Sequence, residues 1–206
     1  DDLLHSLLDL PPLIQAFMTL HPELRFELDF NDRQIDLMQE GFDLAIRIAT
    51  LDDSSLIARR LAPIRHVVCA SPDYLAKHGT PLAAADLADH AGLVYSNLLD
   101  PGLWTYLSPD GQPGQVRVPV RLAASSGDFL MRAGIAGEGL LLLPTFYVHT
   151  ALRSGQLRRV LADYRWPEVS AYAVYPPTRH LSNRVRALID FLVERLAGEP
   201  YWDRVE

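Results

Sequence analysis

The 206-residue chain predicts an α/β fold, and three observations carry that expectation. Short runs of alternating or continuous apolar residues recur along its length, separated by segments with helical period. Hydroxyl, proline and glycine residues punctuate the joints, where helices start and stop. The final segment, Ser182 to Ala197, is the clearest helix: Val185, Leu188, Ile189, Leu192 and Leu196 recur on one face, Ser182 caps it and Gly198 ends it.

The elements follow in order. Residues 11–20 (PPLIQAFMTL) read as an apolar helix stopped near His21-Pro22. From Phe26 to Phe30, FELDF alternates apolar and charged residues, the period of a strand with one buried face. Asn31 or Asp32 then suits the cap of a short helix carrying Ile35, Leu37 and Met38 and ending at Gly41. DLAIRIA follows with Leu44, Ile46 and Ile48 on one face, so strand, helix and strand make a βαβ unit and imply a parallel pair. HVVCA at 66–70 is a further strand, and Ser71-Pro72 opens a helix that Gly79 closes. LVYS (93–96) and WTYL (104–107) read as short strands, with a turn at Ser108-Pro109-Asp110-Gly111. VRVPVRLA (116–123) reads as one longer strand in which Pro119 marks an edge or a bulge. After Ser125-Ser126-Gly127-Asp128 an apolar helical pattern runs to Gly137 and Gly139, before a solid run of leucines. TFYVHTALRSG (145–155) is another helix, and LRRVL and SAYAVYP (170–176) are strands.

Composition narrows the function. A net charge of −7 argues against this stretch gripping a nucleic-acid backbone, which needs a positive footprint. The single cysteine, Cys69, sits in an apolar run and has no internal disulfide partner, which fits a reducing compartment. No run approaches a membrane span, and DDLLHSLLDL opens with two acids rather than the bases of a signal peptide. The expected location is cytoplasmic, a processed periplasmic protein being the alternative.

Known catalytic and cofactor motifs are missing. There is no GxxxxGK[ST], GxSxG or HExxH, and Gly134, Gly137 and Gly139 fall at a helix end, in the wrong order for a dinucleotide fingerprint. The seven histidines are scattered without metal spacing. The flanks of Cys69 favour a packed core thiol over a nucleophile. No cofactor, metal or enzymatic activity is expected, and the helix 182–197 lacks the charge of a DNA-recognition helix.

In open α/β sheets, ligands bind beyond the carboxyl ends of the strands. Those ends are Asn31, Arg47 through Thr50, Ser71, Asn97 and Ser125–Asp128. Several also begin helices, whose free N–H groups suit a carboxylate or phosphate, and Arg47 adds a full positive charge. Two readings stay open. Ser125-x-x-Asp128 fits a capping box, with Asp128 reaching back to the helix start, or the same residues seat a small anion. Arg47 is a surface ion-pair partner or a ligand clamp, and Ser71 a plain cap or a ligand contact.

Three stretches together resemble a known family: DLMQEGFDLAIRIATLDDSSLIARRL (36–61), VVCASPDYLAKHGTP with DLADHAGLVYS (67–96), and AGIAGEGLLLLPTF (133–146) with YPPTRHLSNRVRALIDFLVERL (175–196). In this order and wording they are similar to the effector-binding domain of LysR-type transcriptional regulators, from about Leu13 to Leu196. The resemblance implies a two-lobe fold like that of type II periplasmic binding proteins: two Rossmann-like subdomains joined by two crossover strands, with a small effector in the cleft between them. Mapped here, subdomain I is 1–69 plus 176–206 and subdomain II is 70–175. The resemblance places Ser71, Asn97, Ser125, Ser126, Gly127 and Asp128 in the cleft with Arg47 and Thr50, so the polar turn both caps its helix and faces the ligand.

The resemblance also implies partners. The effector is a small, often aromatic or carboxylated metabolite. This domain is expected to pair antiparallel as a homodimer, with helix 11–20 and strand 26–30 as candidate interface, and the full-length protein to form higher homo-oligomers. Family members carry an N-terminal winged helix-turn-helix that is absent from this chain, so the expectation is a fragment that senses but meets DNA only through that missing domain. Family domains also open with a strand, which DDLLHSLLDL does not resemble; Ser6 is its only hydroxyl. The alternative function is a periplasmic-type solute-binding protein. Trp104, Tyr95 and Phe146 are aromatic walls for a ligand or core residues.

Overall fold

A computed structural model of the chain describes residues 10–29, 37–49, 56–177, 181–198 and 200–203. In chain order it begins with helices α1 (Leu10–Leu20) and α2 (Leu37–Glu40), strands β1 (Ala45–Ala49), β2 (Ile57–Ile64) and β3 (His66–Ala70), and helix α3 (Pro72–His78). Strands β4 (Gly92–Tyr95), β5 (Leu103–Leu107), β6 (Pro113–Arg117) and β7 (Val120–Ala124) lead to helix α4 (Gly127–Ile135). Then come β8 (Leu140–Pro144), α5 (Thr145–Arg153), β9 (Arg158–Val160), β10 (Val169–Tyr175) and α6 (Asn183–Arg195). The described residues form two compact units: one takes the chain up to Ile64 and from Val169 to Tyr201, the other Arg65–Glu168 and the turn that starts at Trp202.

In the first unit, β10 lies between β1 and β2 and is antiparallel to both. Helix α1 buries Leu10, Ile14 and Phe17, one face at helical spacing, and Phe17 meets Phe191 of α6 with ring centroids 5.2 Å apart. Among the described residues the expected parallel βαβ pair does not form. The ladder partner of β1 is β10, antiparallel, and among the described residues no ladder includes Phe26–Asp29. An alternating pattern licenses a strand only where a neighbouring backbone satisfies it. Here Leu24–Asp29 and Glu40–Arg47 instead line a cavity of about 440 Å³ floored by α1 and α6, and Leu28 is half exposed. Strand β2 has little alternation to announce it; it buries Leu61, Ala62 and Ile64 at one end and exposes arginines at the other.

The second unit holds a five-stranded sheet in the order β7-β4-β8-β3-β9. Strands β7, β4 and β8 run parallel, whereas β3 is antiparallel to β8 and β9 to β3. The leucine run 140–143 is central strand β8, nearly continuous apolar sequence as a strand covered on both faces requires. VRVPVRLA is not one strand. It divides at Pro119, with β6 pairing β5 in a separate two-stranded hairpin and β7 forming the edge of the main sheet. Pro119 has no N–H for either ladder, and its carbonyl accepts from Gly92 at 2.8 Å. Val68, Ala70, Tyr74, Leu87, Val94, Trp104, Leu140 and Trp166 form the core between sheet and hairpin. Among the described residues no helix is long and apolar enough to cross a membrane.

Candidate functional site

Strands β4 and β7 are parallel and pair Tyr95 with Ala124, so both end at one edge of the sheet. The Ser96 N–H donates to the Ala124 carbonyl at 2.9 Å, and Asn97 and Ser125 follow on the two strands. Ser126 is extended (φ −113°, ψ 118°) and its Oγ accepts the Phe129 N–H at 3.2 Å. It is therefore the cap of α4, and the Leu130 N–H closes the first helical bond on the Ser126 carbonyl.

The capping box expected from Ser125 to Asp128 is not formed. Asp128 stands at the second helical position, one short of the residue that reaches back, and its Oδ2 accepts from Arg132 Nε one turn ahead at 2.7 Å. That pairing offsets the charge that would repel an anion. The N–H groups of Gly127 and Asp128 lie in the first turn, with no carbonyl behind them and no hydrogen bond among the described residues. They stand at the positive end of the helix dipole.

Gly127 is a packing requirement. A Cβ there would come within 2.5 Å of Tyr147 Cε2 and 2.9 Å of Cδ2, so the glycine lets this buried ring of α5 lie against the turn. Around the same edge Phe129 and Leu98 are more than half exposed (52% and 58%), large apolar side chains beside free amides. Asn97 Nδ2 donates to Tyr95 Oη at 3.4 Å.

Ser71 does not join this group. Because β3 runs against β8, with Cys69 opposite Leu141, Ser71 follows at the edge where β8 and β4 begin. Its Oγ accepts the Tyr74 N–H at 3.2 Å and lies 3.5 Å from where a Cβ on Gly137 would sit, past the far end of α4. A strand end is placed only once the strand's direction is known. Arg47 pairs with Tyr172 across the first unit's sheet and lines that unit's 440 Å³ cavity. Thr50, Asn31, Asp32 and Ser6 lie outside the described residues. Trp104 and Phe146 are core residues, 3% and 2% exposed.

Sequence reasoning missed the end of β8. Thr145 follows it at the same edge as Asn97 and Ser125, its N–H donating to the Arg65 carbonyl at 2.9 Å and its hydroxyl to Asp203 Oδ1 at 2.5 Å. The signal was present: LLLLP followed by a threonine reads as a buried strand running into a helix start. Burial pushes the Cys69 thiol up to about 12, which keeps it protonated and inert. No cluster of three metal-ligating side chains occurs among the described residues.

Residues 6–197 match the LysR substrate binding domain family. The chain belongs to this family. At 36% identity it matches an HTH-type transcriptional regulator of Haemophilus influenzae over 183 residues, 89% of this chain and 63% of that protein. It is also 36% identical to the HTH-type regulator CrgA of Neisseria meningitidis over 190 residues, 92% of this chain and 63% of that protein. The solved regulatory domain of CrgA, a LysR-type transcriptional regulator, superposes with a TM-score of 0.79 at 35% identity, covering 93% of this chain and 92% of that one. Full-length AphB, a Vibrio cholerae virulence activator, gives 0.79 at 28% identity, covering 92% of this chain and 64% of that one. These relatives are transcriptional regulators, not enzymes. The fold is thus that of LysR-type regulatory domains, and the chain spans a little over three fifths (63%, 61% and 63%) of the first three curated relatives.

Proposed function

We propose that this LysR-type effector-binding domain senses a small metabolite carrying a carboxylate on an apolar body, and that binding controls transcription through a DNA-binding domain elsewhere in the longer protein. One observation carries the reading. At the carboxyl edge of the second unit's sheet, the unpaired amides of Gly127 and Asp128 stand beside Ser125, Ser126 and Asn97, with the Asp128 carboxylate drawn away by Arg132. Two amide donors at a helix start suit a carboxylate, and exposed Phe129 and Leu98 suit its apolar body. The seat rests on second-unit residues alone; Arg47 and Thr50 are separate candidates for the same variant series. A bound effector shifts transcription only if it favours one arrangement of the protein over another.

A homodimer fits the exposed Met18 and Leu20 on α1 and Leu28 beyond it. The buried free thiol of Cys69 fits a cytoplasmic protein. Thermal unfolding against a panel of small carboxylates, with their amides as controls, tests the reading. A ligand at a hundred times its Kd adds about 2.7 kcal/mol. Acids that stabilise the domain, amides that do not, and loss of the effect in a folded Ser126→Ala variant support the seat. A carboxylate that binds that variant as tightly as the original protein refutes it.

A further inference from the structure

We propose that the second unit holds another ligand site, a seat for a small organic monoanion on the outer side of the β5–β6 hairpin, held by Arg165 and Arg159. The register sorts the hairpin's faces. Thr105 pairs with Gln115 and Leu107 with Pro113, and Leu107 also faces Arg165 across a single antiparallel bridge. Opposed side chains share a face and alternate along a strand, so these five residues stand together on one side. Trp104, Tyr106 and Trp166 stand on the other, in or against the core. All five outer residues line a cavity of about 800 Å³, a size that suits a small ligand.

The cavity is cationic in an acidic chain. Arg65, Arg159 and Arg165 line it against a single carboxylate, Glu168. Arg65 is engaged by Glu168 at 3.6 Å and Asp203 at 3.3 Å. Arg159 donates to the Ala162 carbonyl at 3.2 Å, which leaves most of its fork unused. The Arg165 guanidinium has no ion pair or hydrogen bond among the described residues.

The backbone adds a donor. Leu107 and Arg165 exchange both of their backbone bonds, at 2.8 and 2.9 Å. Bonding sides alternate along a strand, so Thr105 turns its N–H to that same outer edge. Its partner there would be Pro167, which has no N–H and whose carbonyl accepts from His66 Nδ1 at 2.8 Å. The ladder stops after one bridge, and the Thr105 amide stays open to the cavity. Leu107, Pro113 and Pro167 supply apolar wall for the body of a ligand.

The test is a titration of tryptophan fluorescence and of the melting temperature with phenylacetate and hexanoate, using phenylacetamide as the uncharged control. Both acids should saturate the signal and the amide should not. Arg165→Ala and Arg159→Ala, at exposed positions, should each raise Kd about tenfold or more while melting as the original protein does. No saturation by either acid up to about 10 mM, which detects any millimolar Kd, overturns the proposal. So does unchanged binding in both arginine variants. Binding lost in Ser126→Ala and kept in the arginine variants assigns it to the carboxyl-edge seat and also refutes the second site.

Discussion

Replacing Gly127 with alanine tests whether the helix start at the candidate site is built around the Tyr147 ring. The added methyl would meet three consecutive ring carbons at once, Cζ, Cε2 at 2.5 Å and Cδ2 at 2.9 Å. The ring is 8% exposed and has Phe146 packed at a centroid distance of 4.5 Å, so it has little room to yield. Overpacking of this kind costs about 1–3 kcal/mol, and three contacts put this case in the upper half. Gly127 has no left-handed φ, so alanine also gains up to about 1 kcal/mol of helix preference. The net loss is about 1–2 kcal/mol, or about 2–8 °C in Tm for a chain of this length.

The assay is selective, because Trp104, Trp166 and Trp202 all belong to the second unit and their fluorescence follows its unfolding. Tyr147→Leu should remove the obstruction, so Gly127→Ala added to it should cost less than Gly127→Ala alone, by about 1 kcal/mol. A Gly127→Ala protein that melts at or above the original temperature, or costs that are additive with Tyr147→Leu, would refute the packing argument.

Other outcomes are expected. Ser126→Ala strips the acceptor from the Phe129 N–H and should lose about 0.5–2 kcal/mol in urea melts, whereas Ser126→Gly should lose only a few tenths; equal stability would count against the cap. With its pKa near 12, Cys69 should resist a thiol reagent in the native protein at about pH 8 and yield one equivalent after unfolding, and rapid native labelling would contradict its burial. Burial holds His66 below its ordinary 6.5, against a weaker opposite pull from the Pro167 carbonyl, and burial lowers His90 in the same direction. The unfolded chain then takes up protons that the native chain refuses, so stability is full above about pH 6.5 and falls as pH drops through that value towards the folded pKa. Urea midpoints at about pH 7.5 and about pH 5.5 should differ less in His66→Gln than in the original protein.

Much of the local structure is legible in short stretches. Ser71-Pro72 with Gly79, and Ser182 with Gly198, mark helix ends because a cap bonds within three residues and a left-handed glycine needs no distant partner. Asn97 and the Ser125–Asp128 turn were placed at strand ends by the same local logic, and β4 and β7 bring them to one edge. FELDF shows the complementary limit: alternation describes a surface, and among the described residues no ladder includes Phe26–Asp29. Pro119 was recognised as an interruption, yet only the geometry shows that it parts two sheets. The leucine run before Thr145 is legible as a buried strand, but only its parallel pairing with β4 brings Thr145 to the edge that holds Asn97.

The α/β class, most helix caps, the packed character of the one cysteine and the family can all be read without coordinates, since each follows from residues close together or from wording spread along the whole chain. The tertiary structure alone decided which strand ends share an edge. Direction is a property of pairing: β3 turned against β8 sends Ser71 to the far side of the sheet, while parallel β4, β7 and β8 gather Asn97, Ser126 and Thr145. It also decided the charge of the site, because Asp128 is drawn off by Arg132 through a side-chain rotamer that spacing permits but does not specify.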